Sequence, residues 1–184
     1  MSDVAYLKSL LGQHQDFPQK GILFLDIFPI LQDPLAHETL ITHFLNHITS
    51  HTLPALRTST SNPSAKIDAI VGLDARGFLF GPVLALRLGA AFVPVRKAGK
   101  LPGKCFKASY EKEDSFEMQE GAIKPGQNIL VIDDLIATGG SAKAAGELVE
   151  KSGAKVVENL FVVEIEFLKG KDALSAPTYS IVKD

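Results

Sequence analysis

Two adjacent carboxylates and a glycine-rich turn follow one apolar segment of the chain. The run Asn128-Ile-Leu-Val-Ile-Asp133 predicts a buried strand, Asp134 follows it, and Thr138-Gly-Gly-Ser141 precedes a helical pattern over residues 142–149. Backbone N–H groups and two hydroxyls at such a turn can surround an anion, and the helix dipole adds to the attraction. The pattern therefore predicts a phosphate site, although Ser and Thr before a helix more often serve only as caps.

The acidic pair must serve another part of the same ligand, because Asp133 and Asp134 would repel a phosphate. Carboxylates accept hydrogen bonds from sugar hydroxyls, and their charge stabilises a cationic sugar ring in a transition state. A pair that binds Mg²⁺, as in phosphotransfer enzymes, is the alternative.

A basic segment lies between a predicted strand and the acidic residues that follow it. Residues 96–107 contain five cations and no acid, which is a local charge of +5: Arg96, Lys97, Lys100, Lys104 and Lys107. Such a cluster suits a leaving group whose negative charge grows as its bond breaks, whereas a solvated basic loop is the plainer interpretation. Arg76 follows another predicted strand, which ends at Leu73.

The elements that must position these residues alternate between strand and helix. Strands are predicted over 67–73, 91–95, 128–133 and 156–165, and helices over the first dozen residues, from Pro34 to about Thr52, and over 81–88 and 142–149. A short extended piece is predicted over 22–25 and a surface loop over 53–66. Continuous apolar strands bounded by helices indicate an α/β fold with a parallel sheet, in which ligands bind beyond the carboxyl ends of the strands.

Composition limits the classes of function. The chain has 184 residues, a length typical of one domain, and a formal net charge of −2, which gives no basic field for nucleic acid. A single cysteine and the absence of a signal-peptide pattern favour the cytoplasm, and no apolar run approaches the length of a membrane span. The chain has neither a P-loop, nor Gly-x-Gly-x-x-Gly, nor a nucleophile elbow, which disfavours ATPases, dehydrogenases and hydrolases.

The run Val131-Ile-Asp-Asp-Leu-Ile-Ala-Thr-Gly-Gly-Ser141 resembles the phosphoribosyl pyrophosphate (PRPP) signature of type I phosphoribosyltransferases. The stretches 16–26, 72–82 and 95–103 narrow this resemblance to the adenine phosphoribosyltransferase family, and it extends from about residue 14 to 182. It implies one domain, with a Rossmann-like α/β core over 35–184, a small base-binding hood over 1–34 and a flexible catalytic loop.

The resemblance also implies an activity in purine salvage. Adenine and PRPP would give AMP and pyrophosphate through an oxocarbenium-like transition state at C1′, in a cytoplasmic homodimer. Mg²⁺ would be held mainly through PRPP, without a direct protein ligand, and neither nucleic acid nor a membrane would be a partner. A transferase for another purine and a PRPP- or purine-sensing regulator without turnover are the alternatives.

Roles for individual residues follow from the resemblance. Glu113 is the expected catalytic residue, which handles the proton on purine N7, with Glu111 as its local rival. The expected binding residues are Ala137, Thr138, Gly139, Gly140 and Ser141 for the 5′-phosphate, Asp133 and Asp134 for ribose, Arg76, Arg96, Lys97 and Lys100 for pyrophosphate, and Leu23, Phe24 and Leu25 for adenine. Two departures from the family pattern are Asp114-Ser115 after Glu113, in place of an aromatic-Gly pair, and Leu25, in place of a charged residue.

Overall fold

The computed structural model describes residues 2–17, 20–21, 23–109 and 115–184. The strands are β1 (Gly12–Gln15), β2 (Leu23–Asp26), β3 (Ala69–Leu73), β4 (Ala91–Lys97), β5 (Cys105–Ser109), β6 (Ser115–Gln119), β7 (Asn128–Ile136), β8 (Lys155–Glu164) and β9 (Thr178–Lys183). The α-helices are α1 (Asp3–Leu10), α2 (Phe28–Gln32), α3 (Pro34–His47), α4 (Leu53–Ser59), α5 (Gly77–Leu88) and α6 (Gly140–Lys151). This order confirms the predicted α/β class.

Seven strands form the central sheet in the order β5-β6-β4-β3-β7-β8-β9. The five strands from β4 to β9 in this order are parallel, and β6 and β5 extend the sheet antiparallel beyond β4. After β3 the chain returns through α5 to β4 on one side, and after β7 it returns through α6 to β8 on the other. The carboxyl ends of β3 and β7 therefore meet where the winding direction reverses, which is where open α/β sheets bind ligands.

Burial on both faces explains why the central strands read as continuous apolar runs. All five residues of β3 are buried. One face packs against α1, α3 and α5, and the other packs against α6. Phe44 of α3 and Phe80 of α5 stack at 6.1 Å between ring centroids, and both are fully buried.

A separate two-stranded sheet lies near the N-terminus. β1 and β2 pair antiparallel, with His14 opposite Phe24 and Gln13 opposite Leu25. Leu25 is 5% exposed and belongs to the main core, whereas its neighbour Phe24 is half-buried on the opposite side of the strand. The sheet is thus anchored through one side of β2 and leaves the other side available.

Several predicted boundaries are wrong. The loop predicted over 53–66 is helical over Leu53–Ser59, because Pro54 is compatible with a first helical turn and Leu56 is buried. A π-helical turn, Ile48–Thr52, joins this helix to α3. Helix α5 begins at Gly77 rather than residue 81 and contains Pro82, whose missing N–H costs one hydrogen bond that burial of neighbouring side chains offsets.

Other elements were not predicted, or are longer than predicted. Strand β7 continues to Ile136, beyond the predicted end at Asp133, and α6 covers 140–151 rather than 142–149. The sequence patterns did not indicate β1, α2, β5, β6 or β9, which are short or lie at sheet edges where alternation is weak. In the part of the chain that the structure describes, no helix is long and apolar enough to span a membrane.

The Phe44–Phe80 contact gives a test of the core. Phe80→Ala removes a fully buried ring beneath the sheet and is expected to lower the free energy of unfolding by about 3–5 kcal/mol. Chemical denaturation measures this loss. Phe167→Ala is the matched control, because the Phe167 side chain is 78% exposed, and it should change stability by less than about 0.5 kcal/mol. Equal losses in the two variants would contradict the assigned core.

Candidate active site

An ion pair joins the carboxyl ends of the two central strands. Arg76 ends the turn 74–76 after β3, and its Nε lies 2.7 Å from Oδ2 of Asp134 in β7. The Asp134 residue is only 2% exposed, so its charge depends on this guanidinium for compensation. Parallel pairing of Gly72 with Ile132 brings the two segments side by side.

Asp133 and Asp134 are both in environments that disfavour charge. Burial, and then the neighbouring charge of Asp134, hold the pKa of Asp133 well above the usual range of a carboxyl group. Burial also raises the pKa of Asp134, and Arg76 opposes that rise. The backbone N–H of Asp134 donates to Oδ1 of Asp133 at 3.0 Å. A cation beside this pair would therefore stabilise the charged form of both carboxylates.

The turn after β7 presents unpaired backbone N–H groups. Gly139 adopts a left-handed conformation with φ +83°, and it precedes α6 without any side-chain cap. Within the described residues, the N–H groups of residues 138–142 have no hydrogen-bond acceptor. The capping interpretation of Thr138 and Ser141 is therefore wrong, because no side chain caps α6. These donors open into a cavity of about 200 Å³ that Arg76, Asp133 and Asp134 also line.

A second cavity, of about 290 Å³, adjoins the first at Arg76. Its aromatic lining consists of Phe17, Phe24 and Phe28, and its polar lining consists of His14, Asp26 and Arg76. Phe17 meets Phe24 edge to face at 5.2 Å between centroids, and the guanidinium carbon of Arg76 lies 5.1 Å from the centroid of the Phe24 ring. A flat heterocycle could stack in such a cavity.

The side chains on either side of Phe24 in the sequence do not line the aromatic cavity. The Leu25 side chain is buried in the core, and Leu23 is 36% exposed outside the lining of the aromatic cavity. Any contribution of Leu23 or Leu25 to base recognition must therefore come from the backbone. The Leu25 side chain consequently belongs to the core rather than to the cavity wall.

The basic segment is tied to the turn after β3. Arg96 Nε lies 2.8 Å from Oδ2 of Asp74, and Arg96 Nη1 donates to the carbonyl oxygen of Lys100 at 3.3 Å. The N–H of Asp74 donates to the carbonyl oxygen of Val95 at 3.0 Å. Lys97 ends β4 and is exposed, as is Lys100. As far as the described residues show, Arg96, Lys97 and Lys100 line neither cavity, so the four expected pyrophosphate residues are not gathered in one place.

Glu113 and Glu111, with the rest of segment 110–114, lie outside the described residues.

Sequence reasoning assigned no role to Asp74, Phe17, Phe28 or Glu117. Glu117 is 4% exposed; its Oε2 accepts the N–H of Gly99 at 2.8 Å, and its Oε1 lies 3.0 Å from Lys107 Nζ. The hydrogen bond from the Gly99 N–H is the larger cause that lowers the pKa of Glu117, and the contact with Lys107 is the smaller one. The position of Asp74 directly after a predicted strand, and that of Glu117 in the acidic segment after the basic one, were the available indications of these two residues.

The chain is similar to known phosphoribosyltransferases over most of its length. Residues 56–179 match the phosphoribosyl transferase domain. An adenine phosphoribosyltransferase from Yarrowia lipolytica is 56% identical over 179 residues, which cover 96% of this chain and 93% of that protein. The chain belongs to the adenine phosphoribosyltransferase family.

Solved structures of family members share the fold. The Saccharomyces cerevisiae enzyme, complexed with D-2,5-dideoxy-2,5-imino-altritol 1,6-bisphosphate and adenine, superposes with a TM-score of 0.87 at 52% identity, covering 97% of this chain and 98% of that one. The Trypanosoma brucei enzyme, in complex with AMP, pyrophosphate and ribose-5-phosphate, has a TM-score of 0.85 at 26% identity, covering 100% of this chain and 80% of that one. The similarity thus extends beyond residues 56–179 to nearly the whole chain, including its N-terminal residues.

The raised pKa of Asp133 predicts that this residue lowers the stability of the folded protein at higher pH. In the folded chain Asp133 keeps a proton that the unfolded chain loses near pH 3.8, so this residue destabilises the fold increasingly as the pH rises above that value. Asp133→Asn should therefore raise the Tm of the ligand-free protein at pH 7 and have little effect near pH 3.5. Thermal unfolding from pH 3.5 to 8 measures the difference, and a Tm at pH 7 at or below that of the unsubstituted chain would contradict it.

Proposed function

We propose that the chain transfers the 5-phosphoribosyl group of PRPP to adenine and releases pyrophosphate. The observation that carries the proposal is the junction at Arg76, where a cavity of carboxylates and free N–H groups adjoins a cavity lined with aromatic rings. A phosphorylated sugar and a flat base fit these two cavities in the order that a nucleotide requires. The relatives' names, and the adenine and AMP in their structures, support the same reaction.

The turn 137–141 would hold the 5′-phosphate through Ala137, Thr138, Gly139, Gly140 and Ser141. The unpaired N–H groups at the start of α6 support this role, because they combine directed donors with the positive end of the helix. Asp133 and Asp134 would accept hydrogen bonds from the ribose hydroxyls. As the bond from C1′ to pyrophosphate breaks, the ring becomes cationic, and both carboxylates gain a partner for their charge.

Adenine would stack on Phe24, with the backbone of Leu23 and Leu25 reading its edge. N9 then bonds to C1′ as the pyrophosphate oxygen leaves, and Glu113 takes the proton from N7, so that charge does not accumulate on the base. Arg76, Arg96, Lys97 and Lys100 would stabilise the departing pyrophosphate. The ion pairs of Arg76 with Asp134 and of Arg96 with Asp74 support this, since they fix the two guanidinium groups close to the strand ends.

Oxygen donors in the carboxylate cavity suit Mg²⁺, which the family uses together with PRPP. Asp133 is partly exposed in that cavity and offers a carboxylate, while the described residues contain no group of three or more side chains that could hold a metal by themselves. We infer that Mg²⁺ is held mainly by pyrophosphate, sugar hydroxyls and water, with Asp133 as the nearest protein carboxylate. When bound, it would neutralise charge on the leaving group.

A homodimer in the cytoplasm is part of the same proposal. Leu79 and Leu86 of α5 are 42% and 81% exposed, and their spacing of seven residues places them on one helix face. Large exposed apolar side chains on one face favour contact with a partner. The single cysteine of the chain is in keeping with a reducing compartment.

The proposed reaction predicts AMP formation from adenine, PRPP and Mg²⁺, with little product from hypoxanthine or guanine. Glu113→Gln should lower kcat by about a hundredfold or more, because it removes the proton acceptor and leaves the size of the side chain unchanged. Glu111→Gln is the matched control and should retain most of the activity. Chromatographic detection of AMP provides the measurement.

Each contrary outcome of this assay points to a different conclusion. Loss of activity in Glu111→Gln alone would move the proton acceptor to Glu111. Efficient product formation from hypoxanthine or guanine would show that the chain prefers a purine other than adenine. PRPP binding without turnover of any purine would favour a regulator over an enzyme.

The α5 face predicts a specific effect on assembly. Leu86→Glu places a charge on that face and should convert the dimer, with twice the 19.8 kDa mass of the chain, to a monomer. Light scattering after size-exclusion chromatography measures the mass. Phe167→Glu, at a similarly exposed position after β8, should leave the dimer intact. A dimer that persists in Leu86→Glu would exclude this face as the interface.

A further inference from the structure

The turn 137–141, the proposed 5′-phosphate site and named the phosphate turn below, contacts a segment from near the C-terminus. Residues 166–173 form two short 3-10 helices, Glu166–Leu168 and Gly170–Ala173, between β8 and β9, and we name them the C-terminal brace. Gly170 is buried against the turn: an added Cβ would overlap the carbonyl oxygen of Ala137 and would lie 2.8 Å from the nitrogen of Gly139. A Cβ on Gly139 would likewise overlap the carbonyl oxygen of Gly170. The two backbones therefore fix each other's path.

The brace is held in place at both of its ends. Before it, the N–H of Ile165 donates to the carbonyl oxygen of Ile136, the last residue of β7, at 3.0 Å. After it, Leu174 packs against a small cluster that consists of Ile136, Ala142 and Phe161. Ala142 lies in the first turn of α6, so the brace contacts the elements on both sides of the phosphate turn. A shift of the brace would consequently move the turn.

An ion pair stabilises the brace next to the site. Lys171 Nζ lies 3.0 Å from Oε1 of Glu164, whose side chain is 4% exposed. Glu164 pairs in register with Ile136, one residue before the turn begins. Pairing with Glu164 raises the pKa of Lys171. Without Lys171, this buried carboxylate, next to the proposed phosphate site, would lose the cation that the described residues show beside it.

We propose that Gly170 and Lys171 are positioning residues for the 5′-phosphate. Gly170 sets the path of residues 137–139 by close backbone contact, and Lys171 neutralises Glu164 and secures the brace against β8. Neither residue contacts substrate in this scheme. The inference rests on the proposed function for the identity of the phosphate compound, and it adds a determinant of PRPP affinity that lies outside the nucleotide cavities.

The test compares Gly170→Ala with Gly146→Ala, a control in α6 whose added Cβ would lie 4.0 Å from its nearest neighbour, Val156. Steady-state kinetics and calorimetry give the KM for PRPP, the KM for adenine, kcat and the Kd values of AMP and Mg²⁺-pyrophosphate. In Gly170→Ala we expect the KM for PRPP and the Kd of AMP to rise about tenfold or more, because small displacements of a binding group are costly. The KM for adenine and the Kd of pyrophosphate should stay within about twofold, as should every constant of Gly146→Ala.

Lys171→Met and Lys171→Arg provide a second pair, which keeps the inference testable if Gly170→Ala does not fold. Lys171→Met should raise the KM for PRPP and the Kd of AMP. Lys171→Arg keeps the positive charge and should leave both constants near those of the unsubstituted chain. A lower Tm with unchanged KM and Kd in the variants that fold would overturn the inference, because such a result is expected of a segment that only stabilises the fold. An unsubstituted chain that binds AMP without turnover would contradict the proposed function alone, because the AMP measurements would still decide the role of the brace.

Discussion

The contact between Arg76 and Asp134 is the interaction on which the site depends. A carboxylate with 2% exposure is unfavourable without a compensating cation, and the guanidinium 2.7 Å away supplies one from the neighbouring strand end. The same guanidinium lies beside the ring of Phe24. One side chain thereby fixes the distance between the carboxylates and the aromatic cavity. Loss of Arg76 would leave a buried charge and remove the side chain that lines both cavities.

The carboxylates of Asp133 and Asp134 lower the stability of the folded chain when they are charged. Burial raises the pKa of Asp133 and Asp134, so two charges at neutral pH weaken the folded state. A sugar ring that becomes cationic would relieve that repulsion at the moment when its positive charge is greatest. In the proposed reaction, the two carboxylates would thus face a positive charge that exists only while the reaction proceeds. Residues selected only for stability would be neutral at these positions.

Parallel topology brings together parts of the chain that are distant in sequence. The turn after β3 and the turn after β7 become neighbours because β3 and β7 pair, although about 60 residues separate them in the sequence. The C-terminal brace adds a third segment, which reaches the phosphate turn through Gly170. Both sides of the turn are packed, and no side chain caps the start of α6. A packed turn with unpaired donors is what the proposed phosphate site needs.

The sequence by itself determined the α/β class and the central strands and predicted the phosphate turn, because apolar runs and the Asp-Asp and Gly-Gly patterns are local properties of the chain. It also indicated Phe24 and Arg76, through resemblance to a family. Only the tertiary structure decided that Arg76 pairs with Asp134 and that Leu25 belongs to the core. It likewise decided that Gly170 packs against the turn. These facts depend on strand order and on contacts between distant segments, which no local pattern encodes. The helix over Leu53–Ser59 was missed for the same reason, since burial of Leu56 outweighs the polar composition around it.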